Sequence, residues 1–227
     1  MPASLVRRRK RASADSARPP VTLPIGVLVS GRGTNLQAIL DAISDGRLDA
    51  RVVLVASNHQ GVPALERAAG AGVPSAVFQT ADHPSRAAAH AAIADALCDR
   101  AARLVVLAGF DRILDPVFFA RLGDVPVINV HPALLPSFGG RGMLGRRVHE
   151  AVLASGASES GVTVHRAHPG KVDEGEIVAQ RRVPVLPGDT PETLAARVLE
   201  QEHQALVEAI ARFIPAPTTP RIQMSVD

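Results

Sequence analysis

The chain has 227 residues, 46% of them hydrophobic and 21% charged, the ordinary balance of one soluble globular domain with tails. A single cysteine, Cys98, excludes a disulfide framework and a cysteine-built zinc site, and no apolar run approaches the roughly 18 residues of a membrane span. The net charge of +3 is concentrated at the start, where Arg7, Arg8, Arg9, Lys10, Arg11 and Arg18 face only Asp15, so the rest of the chain is slightly acidic. Residues 1–20 therefore read as a disordered, solvated basic tail. They have no apolar stretch that would make a secretory signal. The other reading of the Arg/Lys run is a nucleic-acid arm. With no Trp or Tyr and six Phe, stacking platforms for single strands are scarce, and no nucleic-acid partner is expected.

From about Val21 the pattern becomes globular. Residues 25–30 form a short apolar run of strand length, ending at Gly31. Leu36, Ile39, Leu40 and Ile43 then recur at helical spacing over 34–44. The alternation continues: strand 51–57, helix 62–71, strand 75–78, helix 85–100, strand 104–108, helix 117–122, strand 126–130. Strands alternating with helices predict an α/β fold with a mostly parallel central sheet and helices on both faces. After His131 the rhythm changes. Pro132, Pro136, Gly139, Gly140 and Gly142 make a loop, followed by a helix over 146–155 and two strands, 160–165 and 177–185. One of these late strands is expected to run antiparallel. Thr190 caps a last helix, with Pro191 at its first position; this helix runs to about Phe213, and 215–227 reads as a tail. The predicted domain is therefore 21–214.

Three constellations can carry chemistry. Ser30-Gly31-Arg32-Gly33-Thr34-Asn35 lies between the first strand and the first helix, where free backbone amides hold anions. The third glycine of a dinucleotide fingerprint is replaced by Leu36, so a monophosphate fits better than a pyrophosphate. A plain glycine turn is the other reading. Asn129 and His131 are two apart on a strand, so they share a face at the carboxyl edge of the sheet. An amide donor beside an imidazole suits a tetrahedral oxyanion with a proton transfer. Asp173, in Lys171-Val172-Asp173-Glu174-Gly175, would favour the imidazolium if it lies near His131; otherwise it sits on a surface turn. His165 and His168 lack the companions of a metal site, and no metal is expected. No nucleophile elbow is present, which argues against covalent catalysis.

In order along the chain stand SGRGTNLQAI (30–39), LAGFDRIL (107–114), NVHPALLPSFGG (129–140), GVTVH (161–165), VDEG (172–175) and ARVLEQEH (196–203). This ordered set, covering residues 25–213, resembles the formyltetrahydrofolate-dependent formyltransferases. The resemblance implies a Rossmann-like formyltransferase fold. The implied reaction moves a formyl group from 10-formyltetrahydrofolate, as co-substrate, to the amine of glycinamide ribonucleotide in purine biosynthesis. It further implies Asn129, His131 and Asp173 as the catalytic set, His131 acting as the imidazolium. Gly33, Thr34, Asn35 and Glu202 would hold glycinamide ribonucleotide; Arg86, Asp111, Arg112, Ile113, Leu114 and Asn129 would hold the folate. A cytoplasmic monomer or homodimer is expected. The alternatives are a hydrolase, a formyltransferase with another amine acceptor, or a non-catalytic nucleotide-binding module. Three departures from the family pattern stand out. Asp111 replaces an apolar residue, Glu176 stands where Pro is common, and the loop between His165 and Asp173 is one residue longer, which brings Glu174 forward as a rival carboxylate.

Overall fold

A computed structural model describes residues 22–215; the basic segment 1–20 and all but the first residue of the expected 215–227 tail lie outside the described residues. Seven strands form one sheet: β1 (Leu23–Val29), β2 (Ala50–Ser57), β3 (Ser75–Val77), β4 (Leu104–Leu107), β5 (Val127–His131), β6 (Glu159–Arg166) and β7 (Ile177–Pro184). They lie in the order β3-β2-β1-β4-β5-β6-β7. Pairing is parallel from β3 across to β5. It is antiparallel between β5 and β6 and between β6 and β7, so β6 alone is reversed. The expected mostly parallel sheet with one antiparallel late strand is what the chain forms.

Among the described residues six helices accompany the sheet: α1 (Thr34–Ser44), α2 (Pro63–Gly70), α3 (Arg86–Cys98), α4 (Pro116–Leu122), α5 (Arg146–Ala154) and α6 (Pro191–Ala211). Their apolar stripes cover both faces, as expected. On one face Leu36 and Ile39 of α1, Ala64 and Ala68 of α2, Val152 of α5 and Leu194, Val198 and Leu206 of α6 pack with Ile25, Val27 and Val29 of β1. On the other, Ile93 and Leu97 of α3 and Phe118 and Leu122 of α4 pack with Leu28, Leu54 and Val105. The strand period of two explains the division: Leu104 and Val106 of β4 belong to the first core, Val105 and Leu107 to the second. Element ends differ from the sequence reading by one or two residues, within the fraying of helix and strand termini. One short 3₁₀ turn, Thr80–Asp82, is an addition; three residues carry too little periodicity to reveal it.

The strand order fixes where a ligand can enter. The chain leaves β1 to build β2 and β3 on one side, then returns to build β4 and β5 on the other. At such a switch point the loops following β1 and β4 part, opening a crevice at the carboxyl edge of the sheet. No helix among the described residues is long and apolar enough to cross a membrane.

Candidate active site

Asn129 and His131 lie on β5, at the carboxyl edge of the parallel strands. The antiparallel register sets Asn129 opposite His165 of β6 and His131 opposite Thr163. Into this corner the loop between β6 and β7 brings Asp173. Its Oδ1 lies 3.4 Å from Asn129 Nδ2 and 3.3 Å from His165 Nε2. Its Oδ2 lies 3.5 Å from His131 Nδ1 and accepts the Gly140 N–H at 3.0 Å. The Asp173 side chain is only 8% exposed, so the surface-turn reading fails. Glu174, the rival carboxylate, is exposed.

The backbone that sets this geometry is unusual at two points. Asp173 and Phe138 both adopt left-handed conformations, each with φ of 57°. An aspartate tolerates that region; a phenylalanine there is an outlier, and such residues gather at functional sites. The Phe138 carbonyl accepts from His131 Nε2 at 2.8 Å. Because a carbonyl cannot donate, Nε2 carries a proton and Nδ1 is the atom facing Asp173. Gly175 secures the loop behind Asp173: a Cβ there would stand 1.7 Å from the Arg166 carbonyl oxygen. The closing bond, Arg166 N–H to Glu176 O at 2.8 Å, therefore needs glycine.

Electrostatics correct one expectation. Burial pushes His131 below the ordinary histidine value, further than Asp173 and the Phe138 carbonyl pull it up; His165 adds to the lowering. The sequence reading took the attraction of Asp173 and omitted the cost of burying an imidazolium at a residue that is 3% exposed. Burial also works against the Asp173 carboxylate. The His165 hydrogen bond, nearby His131 and the Gly140 N–H outweigh it, and hold Asp173 below the usual carboxylate range. His149 of α5, buried and close enough to feel His131, is lowered as well.

Gly33, Thr34 and Asn35 form the start of α1. Gly33 is its N-cap, with φ of 71° and no side-chain cap, so the first-turn amides are free of a capping side chain. A Cβ on Gly33 would meet Cα and Cβ of Ala64 at 2.7 Å, because α2 packs directly on the turn. Arg67 of α2 braces it further, Nε donating to the Arg32 carbonyl at 2.9 Å and Nη1 to Gln37 Oε1 at 3.0 Å. Asn35 Nδ2 donates to Glu202 Oε2 of α6 at 2.8 Å, joining positions far apart in sequence. Burial raises the Glu202 carboxyl, against the Asn35 bond and nearby Arg32. Asn35 Oδ1 is buried without a partner among the described residues, an acceptor left for a donor from outside.

The loop after β4 carries Asp111, Arg112, Ile113 and Leu114. Ile113 is 42% exposed, whereas Leu114 is buried. Asp111 is engaged with Ser30, Asn58 and His59. Arg86 opens α3, behind the Ser85 cap. It and Arg112 both bear on His90, whose Nδ1 accepts the Asp115 N–H at 3.0 Å. The structure thus joins Asn129, His131 and Asp173 in one corner and Asn35 with Glu202 in another; Arg86 makes no hydrogen bond to either group.

Sequence reasoning weighs His165 only as a metal ligand, Gly140 only as a loop breaker, and gives no site role to Phe138 or His59. His165 had a usable signal: Thr163 and His165 are two apart and alternate with Val162 and Val164 in a strand buried from Ser160 to His165, so one face of β6 is polar inside the protein. The backbone contacts had none, since any residue supplies an N–H or a carbonyl.

A family model described as formyl transferase matches residues 24–210. The phosphoribosylglycinamide formyltransferase of Haemophilus influenzae is 39% identical over 180 residues, spanning 79% of this chain and 82% of that protein. The chloroplastic enzyme of the same name from Arabidopsis thaliana is 39% identical over 196 residues, 86% of this chain and 66% of the relative. The trifunctional purine biosynthetic protein adenosine-3 of Drosophila pseudoobscura pseudoobscura is 43% identical over 211 residues, 92% of this chain and 14% of the relative's length. Among solved structures, glycinamide ribonucleotide transformylase 1 from Symbiobacterium toebii superposes with a TM-score of 0.79 at 42% identity, covering 85% of this chain and 88% of that one. The Geobacillus kaustophilus counterpart gives 0.78 at 36% identity, covering 86% of this chain and 100% of that one.

Proposed function

The chain belongs to the formyl transferase family, and on that premise we propose that it transfers the formyl group of 10-formyltetrahydrofolate to the amine of glycinamide ribonucleotide, a step of purine biosynthesis. The family and the names of the relatives support this choice of reaction and substrates. The observation that carries the chemistry is the corner where the Asp173 carboxylate reaches both Asn129 and His131.

In this mechanism the neutral amine nitrogen attacks the formyl carbon and the carbonyl oxygen becomes an oxyanion. Asn129 Nδ2 donates to that oxygen, in a buried setting where a placed dipole counts for more than in water. The attacking nitrogen sheds a proton, the folate nitrogen receives one, and the C–N bond to the folate breaks. His131 carries the proton. Its lowered pKa leaves the ring neutral and able to accept at neutral pH, and Asp173 stabilises the imidazolium formed in passing. Holding both substrates together converts a bimolecular step into an effectively unimolecular one. The free amides of Gly33, Thr34 and Asn35 receive the phosphate. The buried Asn35 Oδ1 and the Glu202 carboxylate receive hydroxyl or amine donors of the same substrate. The folate lies along Arg112, Ile113 and Leu114, with Arg86, whose charge like that of Arg112 bears on His90, as a further contact; exposed Ile113 offers it an apolar surface.

The deciding assay offers 10-formyltetrahydrofolate with glycinamide ribonucleotide, methionyl-tRNA and water as competing acceptors. Formyl transfer to glycinamide ribonucleotide is expected. Formate release or formylated tRNA in its place would overturn the assignment.

A further inference from the structure

Asp111 stands in the loop read as folate-binding, yet its polar atoms are already spoken for within the protein. Oδ1 accepts from Asn58 Nδ2 at 2.7 Å and lies 3.2 Å from Ser30 Oγ; Oδ2 pairs with His59 Nε2 at 3.0 Å. The Asp111 backbone N–H donates to Ser30 Oγ at 2.9 Å, and Ser30 Oγ donates to Asn58 Oδ1 at 2.6 Å. Asn58 thus gives through its amide nitrogen and receives through its oxygen, which closes a ring of Ser30, Asn58 and Asp111, with His59 attached. Each member follows a different strand of the switch point: Ser30 follows β1, Asn58 and His59 follow β2, and Asp111 follows β4. Arg112 Nε, 3.6 Å from Oδ1, is the nearest further cation.

The ring ties together two segments with different proposed duties. Ser30 begins the turn that ends in Gly33, Thr34 and Asn35. Asp111 immediately precedes Arg112, Ile113 and Leu114. We propose that Asp111 is a positioning residue whose carboxylate clasps the nucleotide cradle to the folate loop, so that each substrate binds more tightly when the other is present. This rests on the substrates assigned above. The physical basis is shared ordering: a ligand that stills one loop also stills the ring, and the second ligand then meets a loop whose ordering cost has been met. An apolar side chain at 111 offers no acceptor to Asn58 or His59, so that between the two loops only the backbone N–H of residue 111 on Ser30 Oγ remains of the ring.

Titration calorimetry tests the clasp, using glycinamide ribonucleotide and tetrahydrofolate, which lacks the formyl group and so permits no turnover. Each probe is measured alone and with the other saturating. In the native protein the affinity of each should rise about fivefold or more, and by the same factor in both directions, as linkage requires. Asp111→Met and Ser30→Ala should still bind both probes, with that factor falling to within about twofold of one. Asp111→Asn keeps an acceptor for Asn58 and should restore much of it. His59→Ala, a truncation at a side chain 40% exposed, should lower the factor partly and carries the test if Asp111→Met fails to fold. A native factor of one, or the native factor persisting in Asp111→Met or His59→Ala, overturns the clasp while the substrate assignment stands. Failure of the native protein to bind either probe overturns the assignment and the clasp together.

Discussion

His131 is held between a carbonyl on one nitrogen and a carboxylate on the other, inside a site that disfavours its charge. His131→Ala removes the proton carrier and should lower kcat by roughly 10²–10⁴-fold, the usual contribution of a positioned acid–base group. Binding of glycinamide ribonucleotide, measured by calorimetry, should change little, since its phosphate is assigned to the start of α1. Asp173→Asn isolates the counter-charge. Burial lowers the His131 pKa while Asp173 raises it; without that charge only the Phe138 carbonyl still opposes burial, and the pKa falls further. The limb of the pH–rate profile that reports His131 should therefore move to lower pH, with turnover near neutrality down at least about tenfold. Asparagine is at ease at the left-handed φ of position 173, so the loop keeps its shape. Glu174→Gln, at an exposed position, should leave the profile where it is; a shift in that variant alone would move the working carboxylate to Glu174.

The turn into α1 is governed by how closely α2 packs against it. Gly33→Ala puts a Cβ against Ala64 and forces an L-residue into a left-handed conformation. The conformation alone costs about 1–2 kcal/mol, and the contact is with helix backbone, which cannot swing aside. Urea denaturation should show that loss or more, and glycinamide ribonucleotide affinity should fall as the first-turn amides shift. At the other end of the chain, α6 carries Glu202 and starts at a reciprocal cap: Thr190 accepts the Thr193 N–H and Thr193 Oγ1 accepts the Thr190 N–H. Thr190→Ala should cost about 1 kcal/mol. The Kd for glycinamide ribonucleotide should stay the same, because Glu202 lies about three turns further along, fastened by Asn35. A stability loss in both variants, with binding weakened in Gly33→Ala alone, would separate the two helix starts.

Across the whole molecule, burial lowers four histidines, His90, His131, His149 and His203. The unfolded chain takes up protons on these rings near pH 6.5, whereas the folded chain takes them up only at lower pH. The unfolded state therefore binds more protons in that window, and stability falls as pH drops from about 6.5 towards the folded values. His90 gives this a structural cause, since its Nδ1 must stay unprotonated to accept the Asp115 N–H. Glu202 acts in the opposite sense: its raised pKa means the fold takes up a proton before the unfolded chain does. Thermal melts between about pH 7.5 and 5.5 should thus show Tm falling on the acid side, about 2–4 °C for each kcal/mol lost. In Glu202→Gln the fall should be steeper, because this opposing group is gone. A Tm that is flat or rises towards the acid end in that variant would contradict the burial of neutral histidines.

Much of this protein is written in short stretches of chain. Strand and helix periods, the glycine turn at 30–35, the cap at Thr190 and the shared face of Asn129 and His131 all depend on neighbours within a few residues, so they are legible before folding. The pairings that complete the sites are not. Asn129 with Asp173, Ser30 with Asp111 and Asn35 with Glu202 are separated by 44, 81 and 167 positions. They form only because the strand order puts β4 beside β1 and the register sets β6 against β5. The choice of Asp173 over Glu174, the recruitment of His165 and the use of Asp111 within the protein follow from that order. So does the lowered His131 pKa, since burial belongs to the packed interior and cannot be read from a residue's neighbours in sequence.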